Sequence, residues 1–267
     1  MDYQENTENR VKERESRSCI DINTNLEHFA IISYKIPIER IQHLIPKPFK
    51  LWTYVENEKE YALISAVPFK DKDFSFYRIS RFPSFNFFQT NFRAYIIDER
   101  DNSYSAWFFG TTLGSMTVVI PKKIWNMPWE YAKYKCSFKQ NEDHYIEYKM
   151  DFKSKFGDGN IDIESTGNSV KLLNGFKNMA EQVHILTHPI IGYYDLKNGE
   201  IGTYEIWHPE IELKEATFNY LYFELFEKLG LLNKSEMMNP HSVLITSKVE
   251  FDILLPPRKI TTEKIKK

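Results

Sequence analysis

The sequence predicts a mostly antiparallel β protein with a few helices, an α+β fold built on a highly curved sheet or barrel. Three observations carry this expectation. The chain holds 20 Phe, 16 Tyr and 5 Trp, and aromatic side chains favour the pleated, half-buried surface of a strand. Alternation of apolar and polar residues recurs along the chain, giving about ten strand candidates against two or three helices. Strands and helices do not alternate as βαβ units would require, so a parallel open sheet is disfavoured.

Residues 1–22 are polar and charged and read as a disordered leader. EHFAIISYKI (27–36) is the first strand. PIERIQHLIP (37–46) is a short helix, with Pro37 in its first turn and Pro46 at its end. PKPFKLWTYV (46–55) and KEYALISAVPF (59–69) are strands. DKDFSFYRISRFPSF (71–85) lacks a period and reads as an aromatic loop or lid. FNFFQTNFRAYIID (85–98) alternates, with Asn91, Arg93 and Tyr95 on one face and Phe92, Ala94 and Ile96 on the other. YSAWFFGTTLG (104–114) follows as a strand. YAKYKCSFKQ and HYIEYKMDFK form a hairpin across residues 141–143. DGNIDIEST (158–166) adds a strand, and residues 170–188 are helical near their middle. IIGYYDLKNGEIGTYEIWH (190–208) is a hairpin turning at Asn198-Gly199. Residues 211–220 suit strand or helix, 220–232 an amphipathic helix ended by Gly230, and 241–259 a last long strand. No repeat or internal linker divides the chain, so residues 23–258 read as one domain and 259–267 as a basic tail.

The totals exclude several classes. The chain has 267 residues, 35 of them basic and 37 acidic, for a net charge of −2. That balance offers no basic stripe for nucleic acid or an anionic membrane surface. No apolar run is long enough to span a bilayer, and the polar N-terminus is no secretory signal. Cys19 and Cys136 have no metal-ligand spacing and point to a reducing, cytoplasmic setting.

Residues 115–129, SMTVVIPKKIWNMPW, stand out. Lys122 and Lys123 sit between two apolar runs. A buried unpaired ammonium sheds its proton, and a neutral lysine is a nucleophile toward carbonyls. The same segment also reads as a solvated turn whose lysines snorkel. Other candidates are weaker. His184 and His188 are spaced i, i+4 but lack the acid of a metalloprotease motif, so structural histidines are favoured and no metal is expected. His208 beside Pro209 and His241 suit turn or loop hydrogen bonds. Tyr95 and Glu205 are possible pocket acids or bases.

The chain resembles the acetoacetate decarboxylase-like superfamily over about residues 25–258. LIPKPFKL (44–51), IPKKIWNMP (120–128) and HSVLITSKVEFDILLP (241–256) are similar to three of its elements. It is closer still to the YqjF-like branch of uncharacterised bacterial proteins, through Asn91, Arg93 and Tyr95, Trp107 to Phe109, His208-Pro209 and His241-Ser242-Val243. The resemblance implies a cone-shaped, mostly antiparallel β-barrel with outer helices and an apolar pocket. It also implies that Lys122 forms a Schiff base and that Lys123 lowers its pKa. The decarboxylase's carboxylate-handling arginine falls near Glu27 here, and its glutamate near Gln89 or Thr90. Arg93 is therefore expected to hold the substrate, with Gln89, Asn91 and Tyr95. It equally fits a structural arginine paired across the sheet.

The expected function is imine chemistry on a small keto acid: decarboxylation, aldol or dehydration. The alternative is a non-catalytic barrel that binds an apolar small molecule. Neither needs a cofactor, because the iminium is itself the electron sink. A homo-oligomer, with the aromatic loop covering a partner, is a further possibility.

Overall fold

A computed structural model describes residues 3–12, 18–77, 84–116, 126–141, 144–196 and 199–260. Thirteen strands form one sheet: β1 (Ile22–Pro37), β2 (Phe49–Leu51), β3 (Thr53–Glu56), β4 (Lys59–Phe76), β5 (Phe85–Asp98), β6 (Ser103–Leu113), β7 (Trp129–Asn141), β8 (His144–Ser154), β9 (Gly159–Ser169), β10 (Ile191–Asp195), β11 (Ile201–Trp207), β12 (Lys214–Phe223) and β13 (Ser242–Ile260). The helices are α1 (Tyr3–Lys12), α2 (Ile38–Ile41), α3 (Met179–Thr187), α4 (Glu224–Lys228) and α5 (Lys234–Met237). The sheet is mixed but largely antiparallel, with parallel pairing only where β6 meets β10 and β7 among the described residues.

The pairings return on themselves twice. One circuit runs β1-β4-β5-β6-β10-β11-β13 and back to β1. The other leaves β6 through β7, β8, β9 and β12 and rejoins at β13. The two share β13, β1, β4, β5 and β6, and central stretches of β1, β4 and β5 are buried on both faces. Their sequences suit that burial. On β5, Phe92, Ala94 and Ile96 join the large core with Ile32, Tyr148 and Phe223. Tyr95, on the opposite face, packs with Leu63, Ile185 and Leu186. Period-2 alternation thus assigns one set of side chains to each interior.

Three expectations change. Asp71 to Phe76 and Phe85 to Phe88 are not a lid but the facing ends of β4 and β5; residues 78–83 between them lie outside the described residues. Residues 220–223 belong to β12, paired with β9, and the helix shrinks to α4. The leader is not disordered over residues 3–12 but forms α1. Composition misses this because tertiary hydrogen bonds hold the helix in place of a buried apolar stripe. Thr7 Oγ1 meets His184 Nδ1 at 2.8 Å, Arg10 Nη1 donates to the His188 carbonyl at 2.6 Å, and Trp207 Nε1 donates to the Val11 carbonyl at 3.1 Å.

Gly202 on β11 lies against the ring of buried Tyr194, with no room for a Cβ. Gly202→Ala is expected to cost about 1–3 kcal/mol by overpacking, read as a lower denaturation midpoint.

Candidate functional site

The first circuit encloses an apolar cavity of about 280 Å³. Alternate residues of its strands line it, and the lining is rich in aromatic side chains: Phe29, Phe69, Phe87, Phe108, Trp129 and Phe251 are among them. Gln89, Asn91 and Arg93 enter it from successive inward positions of β5. Of the four expected substrate-binding residues, these three come together on one wall. Tyr95 does not line the cavity; it is 1% exposed and lies in the packing beyond Arg93.

Arg93 is the polar centre of the site. It is 8% exposed. Its Nη2 donates to the Leu186 carbonyl at 2.9 Å and makes a long 3.5 Å contact with the Tyr95 hydroxyl. That hydroxyl is fixed by Ser65 Oγ at 2.8 Å, and Ser65 by Ser33 Oγ at 2.9 Å, so a buried hydroxyl chain positions the guanidinium. Arg93 Nε is buried and has no partner. Among the described residues no carboxylate pairs with Arg93; its partners are the Leu186 carbonyl and the Tyr95 hydroxyl. An uncompensated guanidinium in an apolar enclosure is costly to bury, and an anion relieves that cost.

The neighbours of Arg93 stay uncharged. Burial drives the Tyr204 hydroxyl upward in pKa, although the guanidinium pulls it the other way. Burial lowers His208 to about 4, and Arg93 adds to that. His208 Nδ1 faces the Pro209 carbonyl at 2.7 Å, and its ring stacks on Phe251. Higher on the wall, Asn91 Oδ1 accepts from Gln89 Nε2 at 2.9 Å and from Thr111 Oγ1 at 2.8 Å. What Asn91 can then offer a ligand is its amide N–H.

Lys122 and Lys123 lie outside the described residues. The positions on either side do not: Leu113 and Met127 both line the cavity, and Thr111 pairs with Trp129.

Other candidates take structural places. His241 Nε2 meets the Asn174 carbonyl at 2.8 Å, and Glu205 faces Arg258 at 3.4 Å. His184 bonds to Thr7, and His188 Nδ1 to Thr187 Oγ1 at 2.7 Å. Sequence reasoning missed one residue of the lining, Asp71, because its segment read as a loop. Its signal was present: an acid at the end of the apolar run Ala62–Phe69.

Residues 23–250 match the DUF2071 family of uncharacterized conserved proteins. The chain belongs to this family. The match bears out the YqjF-like resemblance, and the fold is that of the acetoacetate decarboxylase-like superfamily. The acetoacetate decarboxylase of Legionella pneumophila superposes with a TM-score of 0.57 at 11% identity, covering 95% of this chain and 94% of that one. MppR, an enduracididine biosynthesis enzyme, solved with the condensation product of pyruvate and imidazole 4-carboxaldehyde, gives 0.58 at 8% identity and 92% of each chain. An acetoacetate decarboxylase-like enzyme from Sphingomonas wittichii gives 0.54 at 6% identity, over 92% of this chain and 94% of that one. At such identities the likeness shows the fold alone. No curated protein matches the sequence. Among the described residues no helix is long and apolar enough to cross a membrane.

Proposed function

We propose that this protein is an imine-forming lysine enzyme whose cavity takes a small apolar oxo acid. The two strand circuits are read as the cone-shaped barrel of the superfamily, with the Arg93 guanidinium at the cavity floor. The substrate carboxylate sits on Arg93, its hydrocarbon lies against the aromatic wall, and its carbonyl turns toward the segment carrying Lys122 and Lys123. The observation that carries this reading is the buried Arg93 with an orphan Nε, opening on an apolar cavity and without a carboxylate partner among the described residues. The orphan donor and the fork geometry suit a carboxylate.

The Lys122 amine attacks the carbonyl carbon, the carbinolamine hydroxyl takes up a proton and leaves as water, and a cationic iminium results. The electron pair of an adjacent C–H or C–C bond then flows into the iminium nitrogen as a proton or carbonyl fragment departs; the enamine takes up a proton or an aldehyde carbon, or expels a β-hydroxyl as water, and hydrolysis of the regenerated iminium returns the amine. Lys123 or burial keeps Lys122 neutral enough to attack. Arg93 bears on the choice of reaction. It would stabilise a ground-state carboxylate more than the departing, neutralising CO2, which disfavours decarboxylation. Aldol or dehydration chemistry, in which the carboxylate persists, is the better fit. The free Cys19 and Cys136 suit a cytoplasmic setting.

Borohydride reduction with pyruvate, acetoacetate and phenylpyruvate tests this. The expected result is a mass adduct on the peptide carrying Lys122, lost in Lys122→Ala. Tight binding of the acids with no adduct would instead favour a non-catalytic binding barrel, which the same cavity and Arg93 are sufficient to make.

A further inference from the structure

Asp71 is the one carboxyl among the described residues that line the cavity, and the steps proposed above give it no task. It lies on β4, paired with Phe87 of β5 and Leu26 of β1. It is 2% exposed. Its Oδ1 accepts from Thr24 Oγ1 at 3.2 Å, while Oδ2 is buried and has no partner. A carboxyl needed only to tie β4 to β1 would not leave an oxygen orphaned in the wall of a cavity, where the desolvation cost is uncompensated.

The surroundings decide its charge. Glu27 of β1 is paired with Lys70 and Lys72, the residues flanking Asp71 on the other face of β4. Tyr134 of β7 is the titratable group that senses Asp71, and its hydroxyl is committed to Thr112 and Thr90. No cation compensates Asp71 among the described residues, and burial lifts its carboxyl to about 8. It therefore holds its proton at neutral pH and is a hydrogen-bond donor.

Its position complements Arg93. Arg93 pairs with Ser65 and Asp71 with Phe87, so the two lie six residues apart along the paired strands. At about 3.3 Å per residue that is about 20 Å of backbone. The cavity thus has a cation at one end and a carboxyl partway along its wall, with Phe69 between them and Phe74, Phe76 and Phe85 beyond.

We infer that Asp71 is a second ligand-binding residue, whose Oδ2 hydrogen-bonds a carbonyl or hydroxyl oxygen that the ligand carries at the end remote from its carboxylate. The ligand class is an aryl-bodied or extended acid with a second oxygen, too long to be acetoacetate. This rests on the reading of Arg93 as the carboxylate site, and the test separates the two.

Calorimetric titration compares 4-phenylbutanoate with 4-(4-acetylphenyl)butanoate, and the uncharged primary amide of each. Wild type is expected to prefer the acetyl compound by about tenfold in both pairs. Asp71→Asn, which still offers an amide donor, keeps most of the preference. Asp71→Leu abolishes it without weakening the phenyl compounds. An undiminished preference in Asp71→Leu, or none in wild type, overturns the role of Asp71. If both acids bind no better than their amides while the acetyl preference persists, the Arg93 reading fails and the Asp71 inference stands. Absence of binding by all four compounds overturns both. Melting curves of the two variants verify that they fold.

Discussion

Arg93→Met is expected to lose roughly 10- to 150-fold in affinity for an apolar carboxylate such as phenylpyruvate, the worth of a charge-assisted hydrogen bond removed from a dry site. The uncharged amide of the same compound should bind wild type and variant alike. Stability should respond in the opposite sense. The wild type buries a guanidinium with an orphan Nε and no carboxylate partner among the described residues, whereas methionine fits an apolar wall. The Leu186 carbonyl loses a donor, which offsets part of the gain. The melting temperature is therefore expected not to fall, although ligand binding collapses. A purely structural arginine gives the reverse pattern: a large drop in stability and no selectivity between acid and amide. Thermal melts and calorimetry on one pair of proteins separate the cases.

Stability should peak near about pH 7 and fall steeply on acidification. Burial is the leading cause of lowered pKa values at His28, His184 and His208, each to about 4, and at His188, to about 2. The unfolded chain protonates these rings near pH 6.5, and the folded chain does so only below about 4. Between those values the unfolded state binds more protons, so stability is lost as pH falls. Asp71 acts oppositely. Its folded value of about 8 stands above the unfolded one, so its contribution is present at low pH and lost as pH rises through about 4 to 8. Each excess proton is worth about 1.4 kcal/mol per pH unit at most. Four histidines against one aspartate decide the acid limb, and above about pH 7, where those rings are neutral in both states, Asp71 leads the milder decline to about pH 8. Urea denaturation at about pH 4.5, 7 and 8 checks the curve. Asp71→Asn should keep the acid limb and flatten the alkaline one.

Much of the frame could be read from residue order. The alternation of β5 assigned Asn91 and Arg93 to one face and Phe92, Ala94 and Ile96 to the other, and the structure separates them into the cavity and the large core. What alternation cannot supply is depth. Tyr95 shares the face of Arg93 but lies beyond it in the packing, because where a cavity ends depends on elements far away in sequence, here Leu186 of α3. Asp71 was missed for a related reason. Phe74, Phe76 and Phe85 line an interior, so their strands need no polar outer register to betray them, and an aromatic run without period looked like a loop. The α1 helix was hidden because its hold on the body is polar, through Thr7 and Arg10.

The most direct measurement is a crystal structure of the protein with phenylpyruvate or an unreactive arylalkanoate bound. The account requires a carboxylate oxygen within about 3 Å of Arg93 Nε, with the aryl group among Phe69, Phe87 and Phe108. A ligand carboxylate turned toward the mouth, with Arg93 Nε still unpartnered, would contradict it.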